Sequence, residues 1–361
     1  MRAAMYRDGL IGVETVPDPV PERGQVLVRT ICCGICGSDL HAAKFPRQFA
    51  ELGRRAGGGR LGMDPARGVV FGHEFCCEIV EYGPDTPKRL KAGTQVVSMP
   101  MTIGGGNVLS VGYNNDIAGG YGQFMPLADR LLLEVPNGLS AAHAALTEPV
   151  AVGWHAVQFA RLTRDDVPLV IGCGPVGLAV IASLKIEGAH PIIAADYSPA
   201  RRALALRMGA DIAIDPAVDS PYARWRTEAT PEGYDPGRFA RLFDIGPKQR
   251  PAAMFECVGV PGVLQQLIDG APAGARIVVV GVCMETDRIE PFIGIVKQLN
   301  VQFVLAYTAA EFAESLRHLA EGRIDADALI TGTVGLDGVA GAFADLANPE
   351  KHAKVMVDPW R

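Results

Sequence analysis

Two textures of apolar and polar positions follow one another along this chain. Up to about residue 149, short apolar or alternating runs are cut every few residues by Gly and Pro. Residues 25–30 (QVLVRT), 78–81 (EIVE) and 95–98 (QVVS, after the turn at Lys91-Ala92-Gly93) are typical. Short strands at regular spacing with turn signals between them predict a barrel-like β domain. From about Ala141 the texture changes to Ala-rich helical stretches alternating with apolar runs at 167–171, 191–195, 252–257, 276–280 and 301–305. Helix alternating with buried strand predicts βαβ units on a parallel sheet. The last stretch, 336–357, holds a helix at 339–346 and a terminal strand at 354–357, and the pattern does not assign it to either part. Segments 42–70 and 216–250 are polar and rich in Gly and Pro, and read as long inserted loops, which in compact domains are usually functional or disordered.

Length and composition change this picture only a little. At roughly 150 residues per domain, 361 residues suggest two domains. Lys and Arg total 34 against 40 Asp and Glu, a net charge of −6, so there is no basic excess to neutralise nucleic-acid phosphates. The nearest basic run, Arg54 and Arg55 with Arg60 and Arg67, sits among glycines and reads as a solvated loop. No apolar run follows the N-terminal Met, and no stretch approaches the roughly 18 apolar residues of a membrane span. Eight cysteines without disulfide-framework spacing, in a chain this long, fit reduced thiols in a cytoplasm.

The apolar run at 167–171 leads into Gly172-Cys173-Gly174-Pro175-Val176-Gly177 and then an apolar helix. Alone, GxGxxG is a weak signal; between a strand and a helix it is the dinucleotide fingerprint. Gly172 permits the tight turn, Gly174 lets the backbone approach a pyrophosphate, and Gly177 lets helix and strand pack closely. The helix N-terminus offers free N–H groups to phosphate. Asp196 closes the next strand, where a carboxylate accepts hydrogen bonds from ribose hydroxyls and repels a 2′-phosphate, favouring NAD over NADP. Arg201 and Arg202 nearby pull the other way.

A second constellation lies near the N-terminus, in Cys36-Gly37-Ser38-Asp39-Leu40-His41 and Gly72-His73-Glu74. Cys, His and carboxylate are the ligands of a tetrahedral Zn²⁺, and a catalytic zinc keeps about three of them with one open position. Cys33 and Cys36 also form a CxxC, but neither a thioredoxin-like context nor a second ligand pair for a zinc knuckle accompanies it. Cys32, Cys76, Cys77, Cys257 and Cys283 read as core packing.

Taken in order, the Cys36–His41 stretch, Gly72-His73-Glu74, Thr147-Glu148-Pro149 and the glycine fingerprint resemble the zinc-dependent medium-chain dehydrogenase/reductase family, the alcohol dehydrogenases. The likeness spans essentially the whole chain, and Glu148-Pro149 is most similar to the sorbitol, butanediol and threonine dehydrogenase branch. The resemblance implies an α/β protein: a GroES-like, β-rich catalytic domain at 1–149 and 306–361, and a Rossmann doubly wound domain at 150–305. It implies Cys36 and His73 as zinc ligands, with Glu148 where the family has its third ligand and Glu74 able to coordinate or to alternate with water. Which glutamate binds at rest stays open. It further implies Asp39 behind the His73 imidazole, cofactor contacts from Gly172, Gly174, Pro175, Val176, Gly177, Asp196, Arg201 and Gly281, and Lys354 where relatives carry a basic residue that meets the pyrophosphate. The segment 96–123 holds no cysteine, where many members bind a structural zinc with four, so a single catalytic zinc is expected.

The chemistry then expected is reversible hydride transfer between a secondary alcohol or polyol and NAD. A metal lowers the alcohol's pKa, and the proton leaves through Ser38 and then His41, whose ordinary pKa near 6.5 suits a shuttle. A homodimer or homotetramer is expected, with a small-molecule substrate and neither nucleic acid nor membrane as partner. The alternative is a zinc-free quinone or enoyl reductase of the same fold, against which the intact Cys36, His73 and Glu148 count.

Overall fold

The computed structural model describes residues 1–57, 63–136, 138–234 and 247–361. The chain forms two compact units, Met1–Ala151 with Tyr307–Arg361, and Val152–Ala306.

In the first unit, a seven-stranded sheet carries the order Leu132–Glu134, Gln95–Ser98, Glu74–Tyr82, Gln25–Gly34, Lys354–Val357, Ile330–Val334, with Phe124–Ala128 also paired to Gln25–Gly34. The Gln25–Gly34 strand is longer than its sequence pattern announced, because both its faces are buried and Ile31-Cys32-Cys33 continue the apolar run. Its end is held from both sides: Gly34 is opposite Glu74 on one neighbour and Met356 on the other. A Cβ on Gly34 would overlap the Glu74 carboxylate, so only glycine lets the strands close there. The Ile35 N–H then bonds the Val355 carbonyl at 2.9 Å, and the chain turns into the helix Gly37–Lys44, whose N-cap is Cys36.

Segment 42–70 was expected to be a loop. Its described part instead contains the helix Pro46–Gly57, which begins on a proline and buries Phe49 and Ala50, and the short strand Val69–Val70. Residues 58–62 lie outside the described residues. Segment 216–250 likewise holds the helix Pro221–Ala229, capped by Ser220 and anchored by Trp225, which is fully buried and donates its indole N–H to the Val167 carbonyl at 2.9 Å. Truncating such a side chain costs about 3–5 kcal/mol. In both segments the Gly and Pro signals mark helix starts and flanks and hide a buried aromatic anchor. Residues 235–246 lie outside the described residues.

The second unit is a six-stranded parallel sheet in the order Ile212–Ile214, Ile193–Ala195, Val167–Ile171, Ala252–Glu256, Arg276–Val279, Asn300–Phe303. The sheet's first strand in chain order, Val167–Ile171, lies centrally and the order reverses at its border with Ala252–Glu256, as in doubly wound nucleotide-binding folds. Val167, Leu169, Ile193, Met254, Leu267 and Ile277 pack with Trp225 in its core.

The described cysteines are all free thiols. Cys32, Cys76 and Cys77 are buried in the first unit's sheet. Cys283 was expected in the core but is only half-buried, beside the Glu285 carbonyl at 3.4 Å.

Candidate active site

Strand register brings the donors of the first unit together. Cys36 lies two residues past the Gln25–Gly34 strand, and Glu74 opens the neighbouring strand with His73 just before it. One ligand atom each from Cys36, His73 and Glu74 lie within 4.8 Å of one another, and His73 and Glu74 are buried. No other such metal-ligating group occurs among the described residues.

Asp39 is wholly buried behind this group. It accepts from the phenols of Tyr113 (Oδ1, 2.9 Å) and Tyr121 (Oδ2, 2.7 Å) and from the Cys36 N–H (Oδ2, 3.1 Å). Its Oδ1 also faces His73 Nδ1 at 3.3 Å, a charge contact short of good hydrogen-bond geometry, and Nδ1 is buried with no other partner. Burial works against the Asp39 charge, but His73 and the surrounding donors hold its carboxyl below the usual range. Burial equally disfavours charge on His73, yet Asp39 and then Cys36 raise it well above an ordinary histidine. Burial first, then the Asp39 charge, pushes both phenols well up, so they are protonated donors.

Glu74 is clamped by Lys354, whose ammonium donates to both carboxylate oxygens at 2.6 and 2.7 Å and to the Ile35 carbonyl at 3.1 Å. The two side chains are 1–2% exposed. Burial opposes the Lys354 charge and Glu74 overcomes it, raising the ammonium's pKa. Lys354 was expected to meet a pyrophosphate; here its ammonium bonds within the first unit, because Met356 pairs with Gly34 and so sets Lys354 level with the Ile35–Cys36 turn.

Glu148 stands in the first turn of the helix Thr147–Ala160, buried, accepting from the Tyr307 phenol at 3.1 Å. It is outside the 4.8 Å group. Burial raises its pKa to about 7, with His73 opposing and Glu74 adding to the rise. Ser38 Oγ lies 3.1 Å from Cys36 Sγ and 2.8 Å from Tyr113 Oη. His41 is three residues on, one turn along the same helix face, half-buried, with its pKa lowered by burial and then by Lys44.

The residues fit a zinc ion on their own chemistry: thiol, imidazole and carboxylate converge, and the imidazole is backed by a carboxylate. Tyr113, Tyr121 and Tyr307 were not found from sequence. The only signal was the glycine-rich setting of Gly112-Tyr113 and Gly120-Tyr121-Gly122, in a stretch that folds partly as the hairpin Met101–Gly104 and Asn107–Ser110.

In the second unit, Gly172 (φ +92°) turns the chain out of its strand, and a Cβ on Gly177 would overlap the Gly172 carbonyl oxygen. Gly174 is the N-cap of the helix Pro175–Ile186, with Pro175 at its first position and Val176 next. Asp196 accepts from the Cys173 N–H (2.7 Å) and the Ser198 N–H (2.8 Å), tying the second strand's end to the glycine turn. Arg201 reaches to 4.0 Å from Asp196, and Arg202 instead caps the Asp196 carbonyl at 2.8 Å. Gly281 donates its N–H to the Glu256 carbonyl at 2.9 Å. Glu256, another residue missed from sequence, is buried and accepts from Val258 and Gly259 at 2.7 and 2.9 Å.

The chain is similar to known proteins. The family model described as zinc-binding dehydrogenase matches residues 175–321, and that of the alcohol dehydrogenase GroES-like domain matches residues 22–137. (R,R)-Butanediol dehydrogenase of Bacillus subtilis (strain 168) is 30% identical over 369 residues, spanning 99% of this chain and 100% of the relative. Sorbitol dehydrogenase of the same organism is 27% identical, over 99% of this chain and 97% of its own. The crystal structure of the Bacillus subtilis 2R,3R-butanediol dehydrogenase superposes with a TM-score of 0.78 at 29% identity, over 99% of each chain.

Proposed function

The chain belongs to the zinc-dependent medium-chain alcohol dehydrogenase family, and on that premise we propose that it oxidises a secondary alcohol or polyol reversibly, with NAD as hydride acceptor and one catalytic zinc. The observation that carries this reading is the convergence of Cys36, His73 and Glu74 donor atoms within 4.8 Å, backed by Asp39. Butanediol and sorbitol dehydrogenases among the relatives support a vicinal diol or polyol as substrate.

Cys36, His73 and Glu74 would hold the metal, with Glu148 the carboxylate next in line. Bound there, zinc supplies Lewis acidity toward the substrate oxygen, and NAD takes the hydride. Asp39 fixes the tautomer and orientation of the His73 ring. Lys354 balances the charge of Glu74 in a site from which water is largely excluded. Ser38 receives the alcohol proton. His41, kept neutral at pH 7 by its lowered pKa, passes it to solvent. Asp196 favours the free ribose hydroxyls of NAD over the 2′-phosphate of NADP. The cysteine-free segment 96–123 supports one zinc per chain.

Assembly as a homodimer or homotetramer fits the strand Asn300–Phe303, an exposed sheet edge beside the apolar Phe292, Ile295 and Val296.

The test is NADH formation by the purified protein against secondary alcohols, vicinal diols, polyols and hydroxy-amino acids, alongside metal analysis. Turnover with a diol or polyol and about one zinc per chain is the expected result. A metal-free protein that reduces quinones or enones and oxidises no alcohol would overturn the reading.

A further inference from the structure

The direction of each hydrogen around Asp39 follows from counting donors. Tyr113 Oη and His73 Nδ1 face Oδ1 at 2.9 and 3.3 Å, while Tyr121 Oη and the Cys36 N–H face Oδ2 at 2.7 and 3.1 Å. Three of these are hydrogen bonds and the fourth is a charge contact, and an ionised carboxylate so surrounded only accepts. Each phenol therefore points its single hydrogen at Asp39. Tyr113 Oη is also 2.8 Å from Ser38 Oγ. With the phenol hydrogen committed, Ser38 must be the donor in that contact. The alternative acceptor for Ser38 is Cys36 Sγ at 3.1 Å. One hydroxyl hydrogen serves one of them, and the 2.8 Å contact to Tyr113 has the usual O–H···O length.

We propose that Tyr113 is a positioning residue that turns the Ser38 hydrogen toward the Asp39 side and leaves the Ser38 lone pairs free to accept the hydrogen of a substrate alcohol. An alcohol can donate to an oxygen set in this way and a ketone cannot, so the arrangement favours the reduced substrate in the ground state. The inference rests on the reading that Ser38 meets the substrate oxygen. The phenol ring is itself fixed, packed against Phe49, His73 and Phe71 at centroid distances of 5.0, 5.2 and 6.0 Å.

Tyr113→Phe keeps those ring contacts and deletes only the oxygen. Without it, the Ser38 hydrogen turns to Cys36 Sγ and lowers the energy of the sulfur lone pairs. In cobalt(II)-substituted enzyme the sulfur-to-cobalt charge-transfer band should then move to shorter wavelength. In the zinc enzyme, KM for butane-2,3-diol should rise by about fivefold to tenfold, with kcat changed by less than about twofold, as for loss of one hydrogen bond. In a Ser38→Ala background, Tyr113→Phe should add nothing to KM and leave the band where it is. An unmoved band with wild-type KM overturns the proposal, as does a full effect of Tyr113→Phe in the Ser38→Ala background. Wild-type protein that shows the band but oxidises no alcohol overturns the functional reading, while the band shift still decides what Tyr113 does.

Discussion

In the Val152–Ala306 unit, the residues suited to a dinucleotide lie, apart from Gly281, between Gly172 and Arg201, on one strand-turn-helix and the strand and helix start that follow it. In the other unit, the donor group and its supports are drawn from Cys36, Asp39, His73, Glu74, Tyr113, Tyr121 and Lys354, spread over nearly the whole chain. The difference goes beyond distance along the sequence. The glycine turn works through backbone shape and N–H groups, which survive the loss of most side chains. The donor cluster works through buried charges that hold one another in place, so removing one leaves another uncompensated. The first should therefore fail gradually under mutation, and the second abruptly.

Cys36→Ser is the sharpest way to separate the two. Turnover should fall on the order of a thousandfold, the several kcal/mol expected of lost Lewis-acid activation. NADH affinity, measured by fluorescence titration, should hold. Near wild-type turnover would break the metal assignment.

Lys354→Met should come next. It leaves Glu74 without its partner in a site 1–2% exposed, and losing one partner of such a pair costs about 3–5 kcal/mol. Denaturant unfolding of metal-free protein measures it. The loss should shrink when zinc is added, since the ion replaces the missing positive charge. An equal loss with and without metal would mean that Lys354 contributes packing and not charge.

A pH series probes the cluster more gently. Glu148 has an ordinary value of 4.5 and is raised to about 7 by burial, so folding favours its protonated form. The stability this contributes is complete below about 4.5 and is lost as pH rises through about 7. Chelated protein should therefore unfold more easily as pH climbs across that window, and Glu148→Gln should flatten the trend. Unchanged slopes in the two proteins would place the titrating group elsewhere.

Asp196→Ala should give the smallest effect. It removes the two bonds that the Cys173 and Ser198 N–H groups make to the carboxylate and should leave the parallel sheet's own ladder intact. The ratio of kcat/KM for NAD over NADP should fall by roughly tenfold, the loss of about 1.4 kcal/mol of discrimination. An unchanged ratio would move cofactor choice to Arg201 and its surroundings.

What could be read in the chain follows from the range over which each signal acts. The strand Val167–Ile171, the helix Val339–Leu346 and the strand Lys354–Val357 occur where the apolar pattern set them, because period and capping are local. The glycine fingerprint was legible for the same reason. The helices Pro46–Gly57 and Pro221–Ala229 were not, since Pro and Gly at their edges masked Phe49 and Trp225, whose burial is a tertiary event. Tyr113 and Tyr121 carry no pattern of their own. Their function depends on Asp39, more than seventy positions away, being left in a dry site where every lone pair must find a donor.

From the residues alone came the two-part architecture, the dinucleotide turn and the inventory of possible ligands, since residue type and short spacing carry that information. The fold chose among them. Gly34 lies between Glu74 and Met356, which brings Glu74 beside Cys36 and His73 and points Lys354 at Glu74 instead of at solvent. Strand register sets those contacts, and register is decided by burial across the sheet as a whole, which no short stretch of sequence records.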